Sequence, residues 1–99
     1  MSALPTKDDF AAQVNTVFRQ RVGAEQVFAI TLTSCKDKIL TPAQHCFVLV
    51  FRAPVEAPPE QGVYPVEHDT LGNFALFLVP FAKDESGLYY EAVFNLLIS

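Results

Sequence analysis

Apolar and polar residues alternate along most of the chain, and this period of two predicts β-strands. The most apolar stretch, residues 73–80 (NFALFLVP), is predicted to be a central strand of the core. Its alternate side chains fall on two faces, with Phe74, Leu76 and Leu78 on one and Ala75, Phe77 and Val79 on the other. Because both faces are apolar, both are expected to be covered by other parts of the protein.

Five further stretches show strand patterns, namely residues 15–22, 26–34, 45–53, 63–68 and 88–97. The clearest is 26–34, where Phe28, Ile30 and Leu32 are predicted to point inward and threonines outward. Pro65 cannot donate a backbone hydrogen bond, so the strand at 63–68 is expected at a sheet edge or with a bulge. The segments between strands, including 36–44 and the proline-rich 54–62, are predicted to be surface loops.

A short helix is predicted at the N-terminus. Thr6 is followed three residues later by Asp9, which is typical of a capping box, and Phe10 and Val14 lie four apart on one face of residues 7–14.

The chain of 99 residues is predicted to be a single domain spanning 1–99. Strands follow one another with no helical pattern between them, which favours antiparallel connections. We therefore expect an all-β fold, either a small six-stranded β barrel or a two-sheet sandwich, with a short N-terminal helix.

Charge and hydropathy limit the functional classes. The net charge is −4 and the basic residues are scattered, so binding to nucleic acid is not expected. No apolar run approaches the roughly 20 residues of a membrane helix, and the first ten residues lack a signal-peptide pattern. The expected compartment is the cytoplasm. A mean hydropathy of +0.24 in so small a domain leaves apolar surface that predicts self-association or a protein partner.

The tripeptide Glu67-His68-Asp69 is the strongest candidate for catalysis in the sequence, because a histidine beside carboxylates can act as a general base. Neighbouring strand residues point to opposite faces, so His68 does not share a face with the two carboxylates. We therefore interpret His68 as a histidine at the rim, bonded to the backbone of a turn, and predict no catalytic residues. An enzyme using His68 with a carboxylate is the third-ranked hypothesis.

Other candidate chemistry gives no cofactor or metal site. The four glycines are isolated at turns, so no phosphate-binding loop is predicted. Cys35 and Cys46 are interpreted as free thiols, as a disulfide across a hairpin, or, together with His45 and His68, as metal ligands. The reducing cytoplasm favours free thiols, and the short paired spacings of metal ligands are lacking. Arg52 is expected to form a salt bridge with Glu56, Glu60 or Glu67.

The second half of the chain contains FRAP, QGVYPVEHDTLGNFALFLVPF and GLYYEAVFN in this order. It resembles a family of small bacterial domains of unknown function with the pattern FRGP, QGxYxLEHPxLGxxxLFLVP and GxxYEAVFN. The resemblance covers residues 51–95 and departs at Ala53, Pro65 and Asp69. It implies a β-rich domain without a known activity, found near phage-tail-collar-type fibre proteins in bacterial genomes.

Together these observations predict a non-catalytic protein-interaction domain, an accessory, assembly or structural factor for a tail-fibre-like protein or for copies of itself. Such a protein acts in the cytoplasm or is incorporated into an extracellular fibre or particle. The candidate partner-binding residues are Tyr64, His68, Tyr89, Phe94 and Leu97. The alternative is a small β barrel that binds an apolar ligand, with His68, Arg52 or Tyr64 orienting the ligand at its mouth.

Overall fold

The computed structural model describes residues 4–97, which form one short helix and six strands. The elements are α1 (Lys7–Ala11), β1 (Val17–Val22), β2 (Gln26–Leu40), β3 (Gln44–Ala53), β4 (Gly62–His68), β5 (Gly72–Asp84) and β6 (Gly87–Leu97). The predicted all-β fold with a short N-terminal helix is confirmed. In this part of the chain no helix reaches the length and apolarity needed to cross a membrane.

The strands form one antiparallel sheet in the order β1-β2-β3-β6-β5-β4, and β4 pairs back with β1. Of the two predicted architectures, the structure therefore has the closed, barrel-like ring. The closing ladder is short, because β1 and β4 pair only through Arg19 with Glu67 and Gln20 with Val66. Pro65 immediately precedes Val66 in β4. Because proline has no backbone N–H to donate, the ladder with β1 ends there.

Alternate residues of the strands fill the inside of the ring. The largest fully buried side chains include Tyr90, Phe18, Phe47, Phe51, Ile30, Leu49 and Leu78. The inward positions predicted for β2 are confirmed, and so is the division of β5 into two faces, because a period of two fixes which residues share a face. The expectation that both faces of β5 are covered is wrong for the described chain, since Ala75 and Phe77 are exposed on its outer face.

Two strands run further than predicted. Residues 36–40 continue β2 instead of starting a loop, because Lys36 and Asp37 pair with Val48 and Phe47 of β3 while their side chains stay exposed. The turn is only residues 41–43, where the Thr41 hydroxyl accepts a 3.0 Å hydrogen bond from the Gln44 N–H. Exposed polar side chains do not prevent strand formation when the backbone has a partner.

Strand β5 likewise continues to Asp84, beyond the predicted end at residue 80. The Asp84 carboxylate accepts hydrogen bonds from the N–H groups of Ser86 and Gly87, which forms the turn into β6. Gly87 has φ +152°, and a Cβ there would collide with the Ala53 carbonyl oxygen. Glycine is therefore required at the point where β6 passes close to the end of β3.

Helix α1 closes one end of the ring. The predicted capping box is confirmed: Thr6 Oγ1 accepts from the Asp9 N–H at 3.2 Å, and Asp9 accepts from the Thr6 N–H at 2.9 Å. The helix ends at Ala11, three residues earlier than predicted. Its buried residue Phe10 reaches into the core between the strands.

Candidate functional site

The ring contains a gap between β5 and β6. Their ladder runs only from Val79 with Glu91 to Asp84 with Gly87. The first half of β5, residues 72–78, pairs with β4, and the second half of β6, residues 92–97, pairs with β3. Neither half has a strand on its other side within the described chain. We call these two facing edges the seam.

The backbone edges of the seam lack the features that usually block strand addition. Residues 72–78 (GNFALFL) and 92–97 (AVFNLL) contain no charged residue and no proline, and their ladders show no register shift. Exposed strand edges are normally protected by charges, proline or bulges. The two edges of the seam therefore carry none of these devices in their own residues, although helix α1 packs beside both of them through Phe10.

Three other strand stretches with a neighbour on one side only carry such protection, whereas residues 26–30 of β2, which pair only with β1, do not. Residues 33–40 of β2 have two register shifts and three charged residues. Residues 79–84 of β5 have a register shift beside Pro80 and two charged residues, and residues 62–65 of β4 include Pro65. Within residues 4–97 the seam differs from the edge at residues 26–30 because two such edges, from β5 and β6, face each other.

Exposed apolar side chains flank the seam on the outside of the ring. Val63 and Phe77 are cross-strand neighbours on β4 and β5, with 68% and 51% of their surfaces exposed. On the other side, Val93 of β6 is 50% exposed and pairs with the half-buried Val48 of β3. Apolar surface thus borders both edges of the seam.

Phe10 of α1 forms the floor of the seam. Its ring centroid lies 5.8 Å from that of Phe74 on β5 and 5.6 Å from that of Phe94 on β6. It also lies 6.5 Å from Phe18 on β1. One aromatic ring from the helix therefore connects the two strands that do not pair with each other there.

His68 lies at the same end of the strand ring, and hydrogen bonds hold both nitrogens of its imidazole. Its Nδ1 accepts hydrogen bonds from the N–H groups of Thr70 and Leu71 at 3.0 and 3.1 Å. Nε2 therefore carries the proton and donates to Thr16 Oγ1 at 2.9 Å, and that hydroxyl donates to the Gln13 carbonyl oxygen at 2.7 Å. The interpretation of His68 as a histidine bonded to a turn backbone is confirmed.

This environment keeps His68 neutral. Burial lowers the pKa of His68, and the positive charge of Arg19 lowers it further, while Asp69 acts in the opposite direction. Both ring nitrogens are occupied by hydrogen bonds and only 5% of the residue is exposed. No ring nitrogen is left to accept a proton from a substrate, so the geometry offers His68 no role as a general base.

The carboxylates beside His68 belong to an ion-pair group on the outside of β1 and β4. Glu67 contacts both Arg19 and Arg21, and Arg19 also contacts Asp69 at 3.0 Å. The hydrogen bond from Arg21 is the main reason that the pKa of Glu67 is lowered. Glu67 therefore does not pair with Arg52, for which the described residues include no salt bridge.

The other predicted partner-binding residues are dispersed. The Tyr64 hydroxyl donates to the Glu60 carbonyl oxygen at 2.7 Å, and Tyr89 lies on the outer face with its hydroxyl near the Asp84 carboxylate. Phe94 stacks on Phe47 with ring centroids 4.7 Å apart. Leu97 pairs through its backbone with Gln44, and its side chain lies outside the described residues. Phe94 and Leu97 both belong to the seam.

A pocket of ≈ 360 Å³ lies beside α1, and the sequence analysis missed it. Its walls are residues 4–8 together with His45, Phe47 and Phe94. At its rim, His45 Nε2 lies 2.6 Å from Asp37 Oδ1, and Lys7 Nζ lies 3.6 Å from Asp37 Oδ2. Lys7 is far from the other two residues in the sequence, and Asp37 and His45, although eight positions apart, lie at either end of a segment predicted as a loop, so no local pattern indicated this cluster.

The two cysteines are free thiols. Cys35 is opposite Leu49 and Cys46 is opposite Ile39, so they are not cross-strand partners. Burial raises the pKa of Cys35, which favours the protonated thiol. Among residues 4–97, no group of three or more His, Cys, Asp or Glu residues is arranged to hold a metal ion.

Across residues 4–97, the ring, helix α1 and the seam define a small antiparallel β domain in which β5 and β6 leave an open position between them. Residues 5–94 match the model of the family described as Domain of unknown function (DUF6916), so the chain belongs to that family. No curated protein and no solved structure matches the chain.

Proposed function

We propose that this protein is a non-catalytic interaction domain that receives an extended segment of a partner protein in the seam. The observation that carries the proposal is the pair of facing edges, residues 72–78 and 92–97, which contain no charged residue, proline or register shift. An added strand between them would form backbone hydrogen bonds on one or both sides, as in strand addition to other sheets.

Side chains around the seam supply the specificity. Alternate residues of the incoming strand would face outward toward Phe77 and Val93, and the residues between them would face inward toward Phe10. The preferred partner segment is therefore extended and largely apolar. Burial of the exposed side chains would add to the backbone hydrogen bonds at roughly 25 cal/mol per Å² before the cost of association.

The finer part of the proposal concerns the partner. We infer an accessory or assembly role toward a fibre-type tail protein that is met in the cytoplasm, and this inference rests on the resemblance of residues 51–95 to domains found near such proteins. Self-association through the seam is the alternative, because antiparallel pairing of two copies of residues 92–97 would bring no like charges together.

Site-specific photo-crosslinking in the source cells tests the proposal. A photoreactive amino acid at position 93 should label one extended segment of a partner, which mass spectrometry identifies together with its protein. The matched control is position 27, because Val27 is similarly exposed on β2 away from the seam. Equal labelling at both positions, or labelling of a helical segment, would contradict the proposal.

A charge at the seam gives a second test. Val93→Lys should abolish the crosslink from a photoreactive group at position 77, while Val27→Lys should leave it unchanged. If the crosslinked species is a second copy, sedimentation should show a dimer that Val93→Lys dissociates. Retention of the crosslink in Val93→Lys would show that the partner binds elsewhere.

A further inference from the structure

The pocket beside α1 has the composition of a site for a small amphipathic molecule. Its volume of ≈ 360 Å³ lies within the roughly 300–1,000 Å³ of typical ligand pockets. Leu4, Pro5, Phe47 and Phe94 give it apolar walls, and polar side chains lie at residues 6–8 and at His45. An occupant would therefore combine an apolar body with one polar group.

The charges around the pocket select the sign of that group. The negative charge of Asp37 is already balanced by its neighbours, since the carboxylate accepts a hydrogen bond from His45 at 2.6 Å and lies 3.6 Å from the Lys7 ammonium. These contacts lower the pKa of Asp37, with the His45 hydrogen bond as the largest cause. Lys7 is correspondingly held toward Asp37.

Asp8 is different from the other charged residues of the lining. Within the described residues its carboxylate takes part in no salt bridge and no side-chain hydrogen bond. It is therefore the carboxylate of the pocket lining that has no ion-pair partner among the described residues. The net charge of −4 adds a general attraction for cations.

We propose that this pocket binds a small amphipathic cation, specifically a primary amine that carries an aromatic or branched aliphatic group. The ammonium group pairs with the Asp8 carboxylate, and the apolar body packs on the stacked rings of Phe47 and Phe94. Aromatic faces also attract cations through their quadrupole. This site is separate from strand addition at the seam, although Phe94 belongs to both.

Three probes of similar shape and different charge test the proposal: phenethylamine, phenethyl alcohol and 3-phenylpropionate. Each is titrated into ¹⁵N-labelled full-length protein while amide chemical shifts are followed. The amine should saturate with a dissociation constant on the order of 1 mM or lower and shift residues 4–8, His45, Phe47 and Phe94. It should bind at least about threefold more tightly than the alcohol, in line with an exposed ion pair, and the acid should bind most weakly.

Asp8→Asn should reduce amine binding to the level of the alcohol and leave alcohol binding unchanged. Glu85→Gln is the matched control, since it removes an exposed carboxylate from the β5–β6 turn and should change nothing. Unchanged shifts elsewhere in the Asp8→Asn spectrum establish that the variant is folded. Tighter binding of the acid than of the amine, shifts outside the pocket, or no saturable binding of the amine would overturn the proposal.

Discussion

Thr16 and His68 are joined by a 2.9 Å hydrogen bond between Oγ1 and Nε2, although 52 positions separate them in the sequence. The bond connects the end of β4 to the segment between α1 and β1. Through the further hydrogen bond from Thr16 to the Gln13 carbonyl oxygen, it fixes the position of the helix that closes the ring. His68 thereby stabilises the floor of the seam rather than a reaction.

Replacing His68 should cost stability because two backbone N–H groups lose their acceptor. His68→Ala is expected to lower the free energy of unfolding by about 1–3 kcal/mol, measured by urea denaturation. Thr16→Val removes the hydrogen bonds of the Thr16 hydroxyl to His68 Nε2 and to the Gln13 carbonyl oxygen, but both backbone N–H groups keep their acceptor, so it should cost less, about 1–2 kcal/mol. A His68→Ala variant as stable as the parent protein would contradict this assignment.

The lowered pKa of His68 predicts a pH dependence of stability. Its ordinary value is 6.5, so as the pH falls below 6.5 the unfolded chain takes up a proton that the folded protein resists. The stability that this pKa difference contributes is present in full above pH 6.5 and is lost as the pH falls from 6.5 to the pKa of His68 in the folded protein. Urea midpoints between pH 7.5 and 5 should fall more steeply for the parent protein than for His68→Gln. Parallel curves would show that His68 titrates normally in the fold.

Truncation of Phe10 tests its position between β5 and β6. Phe10→Ala should lower the free energy of unfolding by about 3–5 kcal/mol, because it leaves a cavity among three aromatic rings. Amide hydrogen exchange should accelerate at residues 72–78 and 92–97 more than in β3, which has a strand on each side. Equal acceleration in all strands would indicate that Phe10 supports the whole core and not the seam in particular.

Substitutions on the two faces of β5 should change the free energy of unfolding by very different amounts. Phe77→Thr changes an exposed residue and is expected to alter the free energy of unfolding by no more than about 0.5 kcal/mol, while reducing self-association. Leu76→Ala removes a buried side chain and should cost about 2–5 kcal/mol. Chemical denaturation and analytical ultracentrifugation measure the two effects. A large loss for Phe77→Thr in the monomer would show that its outer face is covered.

Gln20 offers a test of a buried polar group inside the ring. Its Nε2 donates to the Tyr90 hydroxyl at 3.3 Å, but Oε1 is buried and has no hydrogen-bond partner among residues 4–97. Gln20→Met keeps the volume and removes this unsatisfied acceptor, so stability should be unchanged or increased. The Tyr90 hydroxyl retains its acceptor, the Pro58 carbonyl oxygen. Destabilisation of more than about 2 kcal/mol in urea would indicate that Oε1 has a partner, such as a buried water molecule.

The sequence predicted the strands and the inward faces because both follow from local alternation. Pro65 also indicated a strand edge correctly, since a missing N–H acts locally. The seam was not predictable in this way, because it depends on where two long-range ladders stop. The extension of β2 through Lys36 and Asp37 was missed for a related reason: the pairing with β3 outweighs the polar composition.

The site residues likewise include one that local sequence indicated and others that depend on long-range pairing. His68 was interpreted correctly because the following residues, Asp69 to Gly72, already had the composition of a turn. The pocket beside α1 combines the first turn of the helix with β2, β3 and β6. The register between β2 and β3 brings Asp37 near His45, and that register cannot be predicted from a single sequence.

The two-residue ladder between β1 and β4 also bears on how the protein folds. Arg19 and Glu67 meet across 48 positions, whereas β2 and β3 form a hairpin with a three-residue turn. Closing a long loop costs entropy before the few contacts at its ends can repay it. We expect the β2–β3 hairpin to form early and the β1–β4 closure to come last, so substitutions at Arg19 and Glu67 should speed unfolding and leave the refolding rate almost unchanged.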